Sequence, residues 1–235
     1  YTTGQGFFYA LANAAGNERQ APLYFVAMSL WRTLDDSIFF ARLFSILCSL
    51  AAIKFFSDAA RRFVDDEGAA RYLTALFAVH PFLIWASVEI RVYALVVLLS
   101  ILLLRFFEAG YLNFQGDDQA AVKRARLFYV LTAIVALYTN YYLGFLLVAG
   151  FAALLAVRRT KAARDYFLRM LLVGVVFAPL LWMFKQQLAV NAGVEIGETP
   201  FGAGLQILAN HIFNFIFPAQ LTLDAAPSPV SIVRI

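Results

Sequence analysis

Glu89, Arg91 and Tyr93 stand where one apolar run, 69–87, gives way to the next, 92–109. A guanidinium is a planar fork of donors that matches an anionic group such as a phosphate. A carboxylate beside it can orient the fork, an acceptor hydroxyl or a cation, and a phenol adds a further donor. Plainer readings compete for the same residues. Glu89 and Arg91 suit an ion pair closing a tight turn, or charges reaching into headgroups, and Tyr93 suits an interfacial aromatic belt.

Two further groups have the right atoms. Tyr138-Thr139-Asn140-Tyr141-Tyr142 interrupts the apolar stretch 127–157, and the Asn140 amide suits a sugar hydroxyl. Tyr138 and Tyr141 suit the same ligand or the aromatic belt. Glu18 and Gln20, on either side of Arg19, are polar residues of the N-terminal segment and read either as binding residues or as loop solvation. His80-Pro81 reads as a packed kink. Asp35 and Asp36 immediately precede an apolar run with no further ligand nearby, so with Ser37 they read as helix-capping oxygens in preference to metal ligands.

These residues need a scaffold, and composition says which solvent it lives in. Of the 235 residues 62% are apolar and 14% charged, and the mean hydropathy is +0.73. So little charge cannot cover a water-exposed surface, and the runs are continuous and rich in Leu, Ala and Phe, unlike the short alternating segments of a barrel. The expected fold class is all-α, a polytopic transmembrane helical bundle forming a single domain over 1–235. The net charge of +4 would raise nucleic acid as a partner in a soluble protein. Here the cations flank apolar spans, so topology accounts for them and no nucleic-acid partner is expected. Cys48 is the only cysteine and lies in an apolar run, which excludes an intrachain disulfide and a cysteine metal cage.

Taken in order, 1–36 reads as an outer loop whose stretch 22–34 is a helix along the headgroup layer. Its 13 residues reach about 20 Å, short of a hydrocarbon core of about 30 Å. About six transmembrane helices are expected over 37–184, at 37–56, 69–87, 92–109, 127–138, 141–157 and 171–184, the last kinked at Pro179. Polar loops are expected at 57–68 and 110–126, and a polar stretch at 158–169. An outer loop and the start of a further helix, 205–217, fill 185–235. Lys54, Arg61, Arg62, Arg71, Arg105, Lys123, Arg124, Arg126 and the cations of 158–169 fall on one side, which the positive-inside bias makes cytoplasmic. Parity then places Glu89, Arg91, Tyr93 and the 138–142 break on the extracytoplasmic face. No basic n-region or small-residue cleavage site opens the chain at Tyr1, and the chain reads as an excerpt of a longer one.

Walker, GxGxxG, HExxH and GxSxG patterns are absent from the sequence, so nucleotide hydrolysis, zinc proteolysis and serine hydrolysis lack support. An enzyme acting on the outer face has no nucleotide supply there, so its activated donor would arrive through the membrane as a lipid.

Four segments, in order, carry a resemblance: Ala21-Pro22-Leu23-Tyr24, Phe40-Ala41-Arg42-Leu43-Phe44-Ser45, His80-Pro81 through Glu89-Ile90-Arg91-Val92-Tyr93, and Tyr138-Thr139-Asn140-Tyr141. With them the chain resembles, over about residues 1–157, the membrane glycosyltransferases of the C superfamily (GT-C). The likeness is to the family 39 type, which includes protein O-mannosyltransferases and bacterial aminoarabinose transferases. The resemblance implies transfer of a sugar from a polyprenyl-phosphate donor to a lipid, glycan or protein acceptor. The expected location is a plasma membrane of the bacterial inner type, with membrane lipids around the protein. It implies no certain cofactor and leaves a divalent metal open. In such enzymes the base is an Asp of an Asp-Glu pair in the first outer loop. No such pair precedes Pro22, and Tyr1-Thr2 resembles the family's residues directly after the pair, so the base is expected before Tyr1 and Glu89 in a supporting catalytic role. Arg91, Tyr93, Glu18, Gln20, Tyr138, Asn140 and Tyr141 are the expected substrate-binding residues. Ala21 stands where the family has Pro, and Asn140 where it has His. A lipid-carrier transporter or flippase and a non-catalytic membrane subunit are the alternatives.

Overall fold

The computed structural model describes residues 21–112 and 119–191, with side chains through 181. The described residues are helical, with no strand among them. In chain order they form α1 (Leu23–Trp31), α2 (Ile38–Phe63), α3 (Glu67–Ala78), α4 (Pro81–Val88) and α5 (Tyr93–Phe107), which runs into a π-helical turn at Glu108–Leu112. After residue 118 come α6 (Gln119–Thr139), a 3₁₀ turn (Tyr141–Leu143), α7 (Gly144–Ala156) and α8 (Thr160–Asn191). Glu18, Gln20 and the expected helix 205–217 lie outside the described residues.

α2, and α5 with its π turn, are each long and apolar enough to cross a membrane, and α3 and α4 reach that standard only as a bent pair. The expected span 69–87 is therefore broken, and the cause is local. A residue before proline is pushed out of the α region, and His80 has φ −62° and ψ 126°. Pro81 then supplies the first turn of α4, where its missing N–H is harmless, and His80 Nδ1 accepts the Phe82 N–H at 3.2 Å as the N-cap. The two helices meet at 49°.

Several helices run past the ends of their apolar stretches. α2 begins at the Ser37 cap, whose hydroxyl accepts from Phe40 N, and continues to Phe63, through half of the expected loop 57–68. The extension carries Asp58, which meets Lys54 one turn back at 3.9 Å and Arg105 of α5 at 3.1 Å. Arg61 and Arg62 then sit in the last turn, where cations complement the helix dipole. In the same way Gln119–Arg126 and Lys161–Arg169 are helical where a loop and a polar stretch were expected. The α7–α8 turn is a Schellman cap. Arg158 adopts φ 56°, its N–H bonds Leu155 O at 3.0 Å, and Arg159 N–H bonds Leu154 O at 2.9 Å.

Two packing regions result. In the first, α2 lies against α5 and α4 through Ala41, Ser45, Cys48 and Ala52, all buried and spaced one turn apart. Small side chains on one face let backbones approach closely where apolar burial gives no advantage over lipid. In the second, α5, α6, α7 and α8 enclose Leu103, Phe107, Tyr111, Tyr129, Ala133 and Tyr166. Large apolar side chains such as Phe39, Phe145, Val148, Leu171 and Val175 are exposed, the arrangement expected of a surface facing lipid.

Candidate functional site

The α4–α5 turn is the place where three of the four family-like segments meet. Glu89 is the C-cap residue of α4, so its carbonyl has no partner within the helix. Ser45 Oγ on α2 donates to it at 2.7 Å, and this bond moors the turn to α2. Beyond the turn Val92 is buried with Tyr24, Phe25, Met28 and Ala41, so α1 closes over the same place.

α1 is held there by its C-terminal end. The Trp31 indole N–H donates to Phe40 O at 2.8 Å, and the ring stacks on Phe40 with centroids 4.7 Å apart. Arg32 pairs with Asp36 across the α1–α2 connection. Asp35 Oδ1 accepts the Ser37 N–H at 2.7 Å, which holds its carboxyl below the ordinary range. Both aspartates therefore serve the entry to α2, with Ser37 as the capping residue.

Tyr24 points into this region. It is 3% exposed, its ring meets Phe44 edge-on at 6.3 Å, and its hydroxyl has no hydrogen-bond partner among the described residues. Burial pushes the phenol well above its ordinary value, Cys48 pushes it the same way, Arg91 opposes and Glu89 adds to the rise. A neutral phenol that feels both charges is a hydrogen-bond donor in need of an acceptor. Tyr24 and Ser45 both belong to family-like segments, yet neither was expected to have a role. The signal for each was positional, a single hydroxyl on the apolar face of a helix.

The three charged or phenolic residues of the turn differ in their surroundings. Glu89 is half-buried and Arg91 is exposed. Tyr93 lies in the first turn of α5 with its ring against Trp85 at 4.8 Å and Phe82 at 6.4 Å. The turn thus offers an exposed arginine whose charge reaches a buried phenol, with one carboxylate nearby in the chain.

No family model, curated protein or solved structure matches this chain. The chemistry of the turn itself then bounds what it can do. Among the described residues no three His, Cys, Asp or Glu side chains come together as metal ligands. Glu89 is the only carboxylate of the turn, so the described residues there do not by themselves supply a set of divalent-metal ligands.

The fourth segment is not part of this cluster, and the side-chain polar atoms of Tyr138, Thr139 and Asn140 have structural partners. Tyr138 donates its hydroxyl to Val176 O at 2.7 Å, one residue from the Val175 carbonyl that Pro179 deprives of its helical N–H. Asn140 Oδ1 accepts the Tyr142 N–H at 2.9 Å and caps the 3₁₀ turn. The Tyr141 ring packs on Phe177 at 6.0 Å and lines an apolar groove of about 320 Å³ with Leu137, Gly144, Phe145, Val148 and Leu181.

Proposed function

We propose that this chain is a polytopic membrane glycosyltransferase that moves a sugar from a polyprenyl-phosphate-linked donor to a lipid, glycan or protein acceptor at the extracytoplasmic face. The observation that carries the reading is the convergence of Tyr24, Ser45 and the Glu89–Tyr93 turn, three separated segments of the family-like sequence, around an exposed arginine.

In this reading the acceptor oxygen attacks the anomeric carbon and the carbon–oxygen bond to the carrier phosphate breaks. The electron pair leaves on the phosphate, and the acceptor proton passes to a carboxylate that the resemblance assigns to the first outer loop. Arg91 neutralises the charge growing on the departing phosphate, and Tyr24 is a second donor from beneath it. Glu89 orients Arg91 or the acceptor hydroxyl. Ser45 acts through the backbone and fixes where Arg91 stands.

The test is Arg91→Ala in membranes supplied with a polyprenyl-phosphate sugar. Loss of a charge-stabilising donor predicts a fall in transfer of about 100- to 1,000-fold with membrane insertion unchanged. Undiminished transfer by a correctly inserted variant removes Arg91 from the mechanism.

A further inference from the structure

α5 carries the chain from the Glu89–Arg91 turn to a second polar cluster about 30 Å away, at the end where the π turn finishes, α6 begins and α7 turns into α8. Lys123 and Arg124 stand near the start of α6, Arg158 and Arg159 form the α7–α8 turn, and Lys161 and Arg164 open α8. Arg126 and Arg169 lie further along their helices. Asp165 is the one carboxylate among the described residues after 118, with Asp117 and Asp118 preceding α6 in the sequence.

The inner members of this cluster form a built arrangement. Arg126 donates from Nε to Gly110 O at 2.9 Å and reaches Asp165 at 3.2 Å, and Arg169 holds the same carboxylate at 2.9 Å. Arg159 donates to the carbonyls of Tyr111, at 3.2 Å, and Leu112. Tyr111 is fully buried beneath them, with the Arg126 guanidinium 5.2 Å from its ring centre. Its hydroxyl has no hydrogen-bond partner among the described residues and feels the charges of Arg169, Asp165 and Arg126. The cluster is rich in donors, holds Asp165 as its carboxylate while Glu108 of the same π turn pairs with Arg62 of α2 at 3.6 Å, and contains a buried donor without a described acceptor. The complementary ligand is an anion with several oxygens, such as a phosphate.

The surroundings decide the source of that phosphate. Leu127, Phe128 and Leu131 on α6, and Leu168, Leu171 and Leu172 on α8, are exposed beside the cations. Hydrocarbon would lie along these side chains while the headgroup meets the arginines. We propose that this end of the molecule is a binding site for an anionic phospholipid, with Arg126, Arg159 and Arg169 at the headgroup phosphate and the exposed cations collecting the lipid. Nothing in this assignment depends on the transferase reading.

Cations placed only to set topology would attract anionic lipid weakly and without dependence on particular residues, which separates the two accounts. The full chain in neutral detergent is titrated with phosphatidylglycerol or phosphatidylcholine and followed by native mass spectrometry and thermal unfolding. A basic residue near an anionic surface contributes about 1 kcal/mol, or about 5-fold in affinity. Arg169→Ala is therefore expected to weaken phosphatidylglycerol about 5-fold and leave phosphatidylcholine unchanged. Asp165→Asn is expected to tighten phosphatidylglycerol, the opposite of what loss of a purely structural ion pair produces. Should Arg169→Ala fail to fold, the exposed pair Lys161→Ala and Arg164→Ala carries the same expectation. Equal binding of the two lipids, weaker binding by Asp165→Asn, or displacement of the lipid by an equal concentration of inorganic phosphate overturns the assignment.

Discussion

Removing a hydroxyl from Tyr166 is expected to cost more than removing one from Tyr129, although the two share one hydrogen bond. Both side chains are buried, their oxygens are 2.7 Å apart, and the Tyr166 hydroxyl also donates to Leu147 O at 2.7 Å. A phenol has one proton, so Tyr166 is the donor to the carbonyl and Tyr129 must be the donor to Tyr166. Tyr129→Phe then deletes one hydrogen bond and strands no donor, a loss of about 1 kcal/mol. Tyr166→Phe deletes both bonds and leaves the Tyr129 hydroxyl buried without an acceptor. The added penalty of about 1–3 kcal/mol brings the total to roughly 3–5 kcal/mol. The double variant strands nothing and is expected near ~2 kcal/mol, less than Tyr166→Phe alone. Unfolding of the four proteins in mixed micelles with increasing denaturing detergent gives the cycle. Additivity within about 0.5 kcal/mol, or a larger loss for Tyr129→Phe than for Tyr166→Phe, refutes the donor assignment.

Arg158 holds a left-handed conformation in the Schellman cap after α7. Arg158→Gly relieves about 1–2 kcal/mol of backbone strain and returns about half of that as unfolded-chain entropy, so a net gain of about 0.5–1 kcal/mol is expected in the same assay. Glu67 is held below its ordinary value of 4.5 chiefly by its hydrogen bond from Arg71, at 2.6 Å. A depressed carboxyl stabilises fully above the unfolded value and loses that contribution as pH falls through the folded one. Glu67→Gln is therefore expected to lower the melting of α3 slightly near neutrality and to converge with the native protein in acid, so that its acid limb below 4.5, followed by circular dichroism, is shallower.

What the sequence made legible was whatever depends on one helix and its solvent. Continuous apolar runs located α2 and α5, the short stretch 22–34 located α1, and Ser37 marked the α2 cap. What it hid was the extent of helices beyond their apolar stretches. Hydropathy reports where a chain meets hydrocarbon, whereas a helix continues for as long as its N–H groups find carbonyls and its side chains find partners. Lys54 with Asp58, and Asp165 with Arg169, are polar to a hydropathy window yet stabilise helix as one-turn pairs. The kink expected at His80-Pro81 is present as a 49° bend, but that one helix ends and another begins there was hidden for a related reason, because the restriction that Pro81 places on its predecessor has no hydropathy signature.

The candidate site was legible in its exposed half only. Arg91 stood out because charge beside apolar runs is conspicuous, but Ser45 and Tyr24 are a single hydroxyl each on an apolar face, and only packing gives them meaning. Their placement follows from the small residues Ala41, Ser45, Cys48 and Ala52, which draw α4 and α5 close enough for a serine to reach a helix-terminal carbonyl. Bulk at Ala41 or Ala52 would push that contact apart. The turn would then lose its tie to α2, and Arg91 would lose the fixed stance that an exposed side chain cannot secure for itself.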